Sequence, residues 1–284
     1  MNPLCQFCRE FLLAVQFFTR IPITGRLADW VGYDADLLRA STGHFPGVGI
    51  VAGLVAAAAF ALSQKLLPDT AFTPLLSAVF CTIATVMLTG GFHEDGLADV
   101  ADGLGGSFNR ERALAIMKDS RVGAFGAMAL VLALLAKVAV LAILGSVEGV
   151  PGDWQTFEEA PFASWYPCAA LVVGHVVSRG LPLLLIRWLP HVGDAALSKS
   201  KPLADRISSA SLLIAVGWCL AVLALSLLVL DVVSLAVACS FAVLAMLWMG
   251  RLFKRRLQGF TGDCLGATQQ VCEIAFYLGL AVSL

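Results

Sequence analysis

Charged residues are scarce in this chain: Asp, Glu, Lys and Arg make up 14% of its 284 residues, whereas 59% are hydrophobic. Soluble domains are about one quarter charged. The mean hydropathy of +0.85 agrees with this contrast. The composition therefore excludes an ordinary soluble domain, and it predicts an all-α, polytopic membrane bundle.

Three further features are lacking. No run of Lys and Arg is long enough to follow a phosphate backbone, and the net charge is −1, so we expect no nucleic-acid partner. Cys5 and Cys8 form one CxxC, and no second pair completes a zinc site. We expect no signal peptide, because Arg9 and Glu10 interrupt the first apolar stretch and no small-residue cleavage site follows.

Long apolar runs are abundant. A membrane crossing by a helix needs about 20 mainly apolar residues. Seven such spans are predicted, at 46–67, 72–92, 122–144, 162–189, 210–230, 232–250 and 266–284. Residues 7–18 are too short and too charged to span, and they are typical of a helix lying at the interface. We therefore predict one integral membrane domain over 1–284, with about seven transmembrane helices, short interfacial helices and a cytoplasmic or interfacial segment at 1–45.

The loops between these spans differ in charge. Lys and Arg are found before residue 46, between spans two and three, between four and five, and after span six. The loop at 145–161 instead holds four carboxylates and neither Lys nor Arg. Since basic loops stay on the cytoplasmic side, this predicts an inner-membrane protein with its N-terminus inside and its C-terminus outside. The acidic segment at 93–121 would then face the cytoplasm.

An acidic motif, TGGFHEDGLADVADG (89–103), follows the second span. Asp95, Asp99 and Asp102 are spaced i, i+4, i+7, so they share one helix face. Three adjacent carboxylates repel unless a cation lies between them, and oxygen ligands at this density suit Mg²⁺ or Mn²⁺. A solvated helix start, favoured by the helix dipole, explains Glu94 and Asp95 but not the other two.

The role of His93 is open between two alternatives. It is either a general acid or base, or a polar residue at the level of the lipid headgroups. Both are consistent with its place at the start of the acidic motif.

A short amphipathic helix capped by Asn109 is predicted to lead to Lys118, Asp119, Ser120 and Arg121 at the entry to span three. Cations beside a carboxylate cluster are what phosphoryl transfer requires, so these four residues are candidate substrate contacts. Ordinary anchoring of positive residues at the cytoplasmic face is the alternative.

Ionisable residues also fall within the predicted spans. Lys137 lies in span three, and His175 and Arg179 lie on one face of span four. Charges inside a membrane are costly and indicate function, so Arg179 is predicted to point into a polar cavity. Lys137 either has such a functional role or neutralises an aspartate structurally. Asp263, in a glycine-flanked loop before the last span, is a candidate ligand or substrate contact.

Such residues also suit a transporter. Two features argue against one: the sequence shows no inverted repeat, and its polar motifs lie near one membrane face rather than at the midplane. A transporter therefore remains the less favoured class.

Five motifs in this order resemble one known family: FFTRIPI (17–23), HFPGVG (44–49), TGGFHEDGLADVADG (89–103), IMKDSRVGAFG (116–126) and TGDCLGA (261–267). The chain resembles cobalamin synthase, also called adenosylcobinamide-GDP ribazoletransferase, over essentially its whole length. The resemblance implies a membrane transferase that depends on Mg²⁺, with Mn²⁺ as a substitute. It would join adenosylcobinamide-GDP to α-ribazole or its 5′-phosphate and release GMP.

In that interpretation Asp95, Asp99 and Asp102 are metal ligands, and together with His93 they form the catalytic group. Lys118, Asp119, Ser120, Arg121, Arg179 and Asp263 are the substrate-binding candidates. The partners would be the two substrates and membrane lipids, and a homo-oligomer is compatible with the sequence. A phosphotransferase of the CDP-alcohol type, which also uses aspartates along membrane helices, is the main alternative.

Overall fold

A computed structural model describes residues 2–147, 165–192 and 206–284. These residues form α-helices without a β-sheet, and a short 3₁₀ turn at Thr42–His44 connects the third helix to the fourth. The helices are α1 (Pro3–Phe18), α2 (Gly25–Val31), α3 (Ala35–Ser41), α4 (Phe45–Leu66), α5 (Thr73–Thr89), α6 (Phe92–Gly106), α7 (Arg110–Met117), α8 (Ala124–Gly145), α9 (Trp165–Gly180), α10 (Pro182–Trp188), α11 (Ser209–Ser226), α12 (Val232–Arg256) and α13 (Gly262–Val282).

The predicted membrane bundle is confirmed. Six helical segments of the described chain are long and apolar enough to cross a bilayer, and α5 with α6 forms a bent pair that would make a seventh. The acidic residues predicted at 145–161 (Glu148, Asp153, Glu158 and Glu159) lie outside the described residues. The alternation of loop charge therefore stays a prediction.

Several predicted boundaries differ from the observed ones. The span predicted at 162–189 is divided at Leu181 into α9 and α10. The last span begins at Gly262 rather than 266, so Asp263 lies in the first turn of a helix and not in a loop. The side chain of Thr261 accepts the N–H of Cys264 and caps this helix, which explains the earlier start.

The span predicted at 72–92 ends at Thr89, and the next helix departs from it at 90°. Gly90 and Gly91 make this bend, with φ of 67° and 72°. Two consecutive residues in the left-handed region stop a right-handed helix, and glycine adopts this conformation without steric cost.

The last helix, α13, is central to the bundle. It packs against α6, α8, α9 and α12. Many of its buried residues are polar, including Gln269, Gln270 and Glu273. The central position of α13 therefore brings polar side chains into the interior of an otherwise apolar protein.

Candidate functional site

The acidic helix α6 meets the first turn of α13 at a very close contact. A Cβ atom added to Gly96 would lie 2.8 Å from the carbonyl oxygen of Asp263, so only glycine allows this approach. Asp95 and Asp99 flank Gly96 on α6. The structure therefore brings Asp263 beside two of the predicted motif aspartates, although the residues are far apart in sequence.

The carboxylates at this junction repel one another. Asp99 experiences the charges of Asp263, Asp95 and Asp102, in decreasing order of strength. Asp263 likewise experiences the charge of Asp95. Asp95 is exposed, whereas Asp99 and Asp263 are half-buried, so the group is open to solvent on one side. We call Asp95, Asp99 and Asp263 the acidic cluster.

Asp102 has a different environment. One of its carboxylate oxygens accepts the N–H of Gly123 at 2.7 Å, and the other accepts the N–H of Gly126 at 2.8 Å. The carboxylate thereby caps the N-terminus of α8, where unpaired N–H groups and the helix dipole favour a negative charge. Asp102 is buried and turned towards this cap.

No three His, Cys, Asp or Glu side chains in the described ranges are arranged as a preformed metal site. The three aspartates predicted as ligands are thus not assembled as one set. Their shared face places them in a row along α6, and the third is engaged by the α8 backbone. The assignment of metal ligands stays a prediction.

The predicted substrate loop begins where α7 ends. Asn109 caps α7 as predicted, accepting the N–H of Arg112 at 2.9 Å. Arg121 is exposed, and its Nε donates to Asp119 at 2.9 Å. The hydrogen bond from Arg121 lowers the pKa of Asp119 to about 2. Lys118 and Ser120 are also exposed, so this loop presents its polar side chains to solvent.

His93 lies inside the protein, with 1% of its surface exposed. Its ring stacks on Phe45, with the ring centroids 5.6 Å apart and the planes 16° from parallel. Both rings line a small, partly open cleft of about 40 Å³, together with Phe17, Phe18 and Phe92. The structure thus associates His93 with an aromatic cleft rather than with the surface.

A second group of polar residues is buried between α8, α9 and α13. At its centre Glu273 lies 2.6 Å from Lys137 Nζ and 3.3 Å from His175 Nδ1. Gln269 donates to Glu273 at 2.6 Å, and the hydroxyl of Tyr277 donates at 3.2 Å. We call this group the buried network. Lys137 is thus neutralised structurally, but its partner is a glutamate, so the aspartate named in that alternative was wrong.

Arg179 extends the buried network towards the cleft. Its Nη1 lies 2.9 Å from His175 Nδ1 and donates to the His175 carbonyl oxygen at 3.1 Å. Its guanidinium carbon lies 5.8 Å from the centre of the Phe45 ring. Arg179 therefore lies among polar side chains, while the predicted polar cavity and its contact with substrate both stay predictions.

Several of these residues were not identified from the sequence. One face of the last, apolar span carries three polar residues spaced i, i+4, i+8, namely Gln269, Glu273 and Tyr277. This spacing, together with Lys137 in span three, could have predicted a buried ion pair between the two spans. Gln270 donates to Glu94 at 3.0 Å and so connects the buried network to α6. This last contact joins residues 176 positions apart, and no local pattern indicates it.

These features define a polytopic membrane protein with an acidic site where a motif helix crosses the beginning of a spanning helix. The chain belongs to the cobalamin-5-phosphate synthase family, which matches residues 10–281. The matched residues include both the acidic motif and the first turn of α13, so the match contains the whole described site.

Curated relatives cover essentially the whole chain. A protein of Polaromonas sp. is 73% identical over 284 residues, which is 100% of both chains. One of Polaromonas naphthalenivorans is 72% identical over 98% of this chain and 99% of its own length. One of Leptothrix cholodnii is 44% identical over 98% of this chain and 97% of its own. All three are named adenosylcobinamide-GDP ribazoletransferase. No solved structure matches the chain.

Proposed function

We propose that this protein transfers the cobinamide phosphate of adenosylcobinamide-GDP to α-ribazole, or to its 5′-phosphate, and releases GMP. The names of relatives up to 73% identical support this activity. The membership of the cobalamin-5-phosphate synthase family supports its place in cobalamin synthesis.

The observation that carries the proposal is the junction of α6 and α13. There the acidic cluster lies at the N-terminal end of a long helix, where unpaired backbone N–H groups and the dipole attract anions. A pyrophosphate needs hydrogen-bond donors on one side, and on the other side a cation that compensates its negative charge. The carboxylates of the acidic cluster would bind that cation.

The chemistry of the donors fits Mg²⁺. Asp95 and Asp99 are oxygen donors accessible to solvent, and Mg²⁺ is commonly held by one or two carboxylates, with water and substrate phosphates completing its shell. We assign these two residues, with Asp263 beside them, to metal binding. Asp102 keeps only one lone pair on each oxygen beyond its cap, so in this proposal it chiefly positions α8 against α6. The bound ion would neutralise charge on the pyrophosphate and on the departing GMP.

The protein's own residues then bind and orient the two substrates, and one of them accepts a proton. A ribose hydroxyl of the acceptor forms a new bond to the phosphorus attached to cobinamide, and the bond from that phosphorus to the oxygen of GMP breaks. The proton of the hydroxyl passes to a carboxylate of the acidic cluster. Arg121 and Lys118 contact the phosphates from the exposed loop before α8.

We place this site on the cytoplasmic face of the inner membrane, on the basis of the basic loops. In a variant without cysteines, Asn109→Cys should react with an impermeant thiol reagent only from the cytoplasmic side. Asp69→Cys, in the loop between α4 and α5, should react only from the periplasmic side. The reverse pattern would contradict this orientation.

A direct test uses purified protein in detergent, without a sealed compartment. Adenosylcobinamide-GDP, α-ribazole and Mg²⁺ should yield one GMP for each cobalamin formed. EDTA should stop the reaction, and Mg²⁺ or Mn²⁺ should restore it.

Two outcomes would contradict the proposal. Folded protein that releases no GMP here, but lets reconstituted vesicles accumulate a solute, would be a transporter. Release of CMP from a CDP-alcohol substrate would instead indicate the other phosphotransferase class.

A further inference from the structure

Two glutamine side chains join the buried network to the helix of the acidic motif. Gln270 Nε2 donates to Glu94 and to the side-chain oxygen of Gln269, at 3.0 Å in each case. Gln269 in turn donates to Glu273 at 2.6 Å. A continuous chain of hydrogen bonds therefore runs from the buried ion pair to α6.

The carboxylates at its two ends fix the direction of this chain. An ionised carboxylate only accepts hydrogen bonds, so the amide N–H groups must point towards Glu94 at one end and Glu273 at the other. Gln269 also donates to the hydroxyl of Ser178 at 3.0 Å. Gln269 and Gln270 are 0% and 3% exposed, so turning either amide round would leave buried polar groups unpaired. Both side chains are therefore held in one orientation.

Three points of contact along α6 and α13 differ in what they fix. Gly96 lies at Asp263, His93 at Gly266 and Glu94 at Gln270. The first two are close approaches at a glycine, which has no side chain that would lock the two helices in register. The third is a hydrogen bond, which is directional and weakens steeply when it is misaligned. In the described part of the chain it is the only side-chain hydrogen bond between these two helices.

The carboxylate of Glu94 acts on the buried network rather than on the acidic cluster. Arg179 experiences the charge of Glu273 and then that of Glu94. The charges that act on Asp99 are instead those of the other aspartates. Although Glu94 directly precedes Asp95 in the sequence, its side chain therefore belongs with the buried residues.

We propose that Glu94 and Gln270 are positioning residues for the proposed metal site. Their hydrogen bond fixes where α6 lies along α13, and so it sets the distances between the carboxylates of the acidic cluster. Glu94 is next to Asp95 on α6. Gln270 lies seven residues beyond Asp263, or about 10 Å along α13. Mg²⁺ needs near-ideal octahedral geometry, so a slip of about 1 Å between the helices would weaken its binding. This role rests on the proposed function and deepens it.

The test measures binding of Mn²⁺ alone to the full-length purified protein, from the EPR signal of the free ion. Asp95→Asn should weaken this binding most, which assigns it to the acidic cluster. Gln270→Met removes the donor with little change in volume and should weaken Mn²⁺ binding by about fivefold or more. Thr268→Val is the matched control, because it removes a buried hydrogen bond that stays within α13, from the hydroxyl to the Cys264 carbonyl oxygen at 2.7 Å. It should leave Mn²⁺ affinity within about twofold.

Two substitutions at Glu94 separate positioning from metal ligation. Glu94→Gln keeps an oxygen that accepts from Gln270, so Mn²⁺ binding should stay within about threefold of the wild type. Glu94→Met keeps no acceptor and should weaken binding as Gln270→Met does. The variant with both methionines should bind Mn²⁺ no more weakly than either single variant, because both substitutions remove the same hydrogen bond. Glu94 is only half-buried, so its variants also cover the case in which Gln270→Met does not fold.

Turnover gives a second readout. Gln270→Met should raise the Mg²⁺ concentration that gives half-maximal GMP release, and saturating Mg²⁺ should restore most of kcat. A residue that only stabilises the fold would lower the unfolding temperature without this shift.

Unchanged Mn²⁺ affinity in folded Gln270→Met, or no Mn²⁺ binding by the wild type, would overturn the positioning role. So would a loss in Glu94→Gln as large as that in Asp95→Asn, because Glu94 would then be a metal ligand itself. If Mn²⁺ binding depends on Gln270 but the wild type makes no GMP, the proposed reaction is overturned and the positioning role stands.

Discussion

The acidic cluster and the buried network both concentrate charge, but they balance it differently. In the buried network Glu273 is in contact with Lys137 and close to His175. In the acidic cluster Asp99 experiences chiefly other carboxylates. Charges that are compensated within the protein stabilise the fold, whereas like charges held together near solvent provide a place for a ligand. The comparison therefore separates residues that hold the bundle together from residues that are available for chemistry.

Substitutions in the acidic cluster should have the largest effect, and they should lower activity without lowering stability. Asp95→Asn and Asp99→Asn should each reduce GMP release by about 10²–10³-fold, because they remove charge that the transition state requires. Thermal unfolding in detergent should change little. Asp69→Asn, an exposed aspartate near the other end of α5, is the control and should retain full activity. Near-normal turnover of both variants at limiting Mg²⁺ would remove these residues from the metal site.

The buried network should show the opposite pattern, with a loss of stability. Lys137→Met leaves Glu273 without its closest cation and should lower the free energy of unfolding by about 3–5 kcal/mol. The double variant Lys137→Met, Glu273→Gln should recover part of this loss, since neither charge then remains unpaired. A double-mutant cycle by thermal or denaturant unfolding measures the coupling. Additive losses would mean that the pair is not coupled.

Asp102 is on the same helix as Asp95 and Asp99 of the acidic cluster, but its carboxylate is hydrogen-bonded within the protein, so it should affect both stability and activity. Asp102→Asn weakens the cap of α8, so it should cost about 1–2 kcal/mol of stability. Its activity should fall less than that of Asp95→Asn. A variant with wild-type stability and no activity would instead make Asp102 a metal ligand in the manner of Asp95.

The smallest effect concerns the bend before α6. Gly91→Ala meets no neighbour within 4 Å, so its cost comes from the left-handed backbone alone, about 1–2 kcal/mol. Gly217→Ala also meets no neighbour, but it lies inside α11, where alanine is favoured over glycine. The first variant should unfold at a lower temperature than the wild type and the second should not. Equal behaviour would show that the bend tolerates a side chain.

The sequence predicted the membrane fold well, because span length and apolar composition are local properties. The bilayer imposes about 20 residues on each crossing, so α4 and α8 begin and end within two residues of their predicted limits. The bend at Gly90 was not predicted. A hydropathy window registers apolar residues and does not detect two consecutive glycines with positive φ.

The site was predicted in part, for a similar reason. The spacing of Asp95 and Asp99 on one face follows from the helical period, whereas the approach of Asp263 depends on tertiary contact through Gly96. The engagement of Asp102 with Gly123 and Gly126 likewise depends on how α8 packs against α6. Periodicity identifies residues on one helix, but it does not show what a second helix places beside them.

The contact between Gly96 and Asp263 also has a consequence for synthesis. The two halves of the acidic cluster leave the ribosome about 170 residues apart, which takes roughly 10 to 30 s at bacterial rates of translation. During that interval the motif helix has no α13 beside it, and Lys137 enters the membrane before Glu273 exists. A nascent or truncated chain therefore lacks the contact between Gly96 and Asp263, and it lacks the carboxylate that pairs with Lys137. Only the finished protein assembles the acidic cluster, and an unfinished copy carries Lys137 without the carboxylate that compensates its charge.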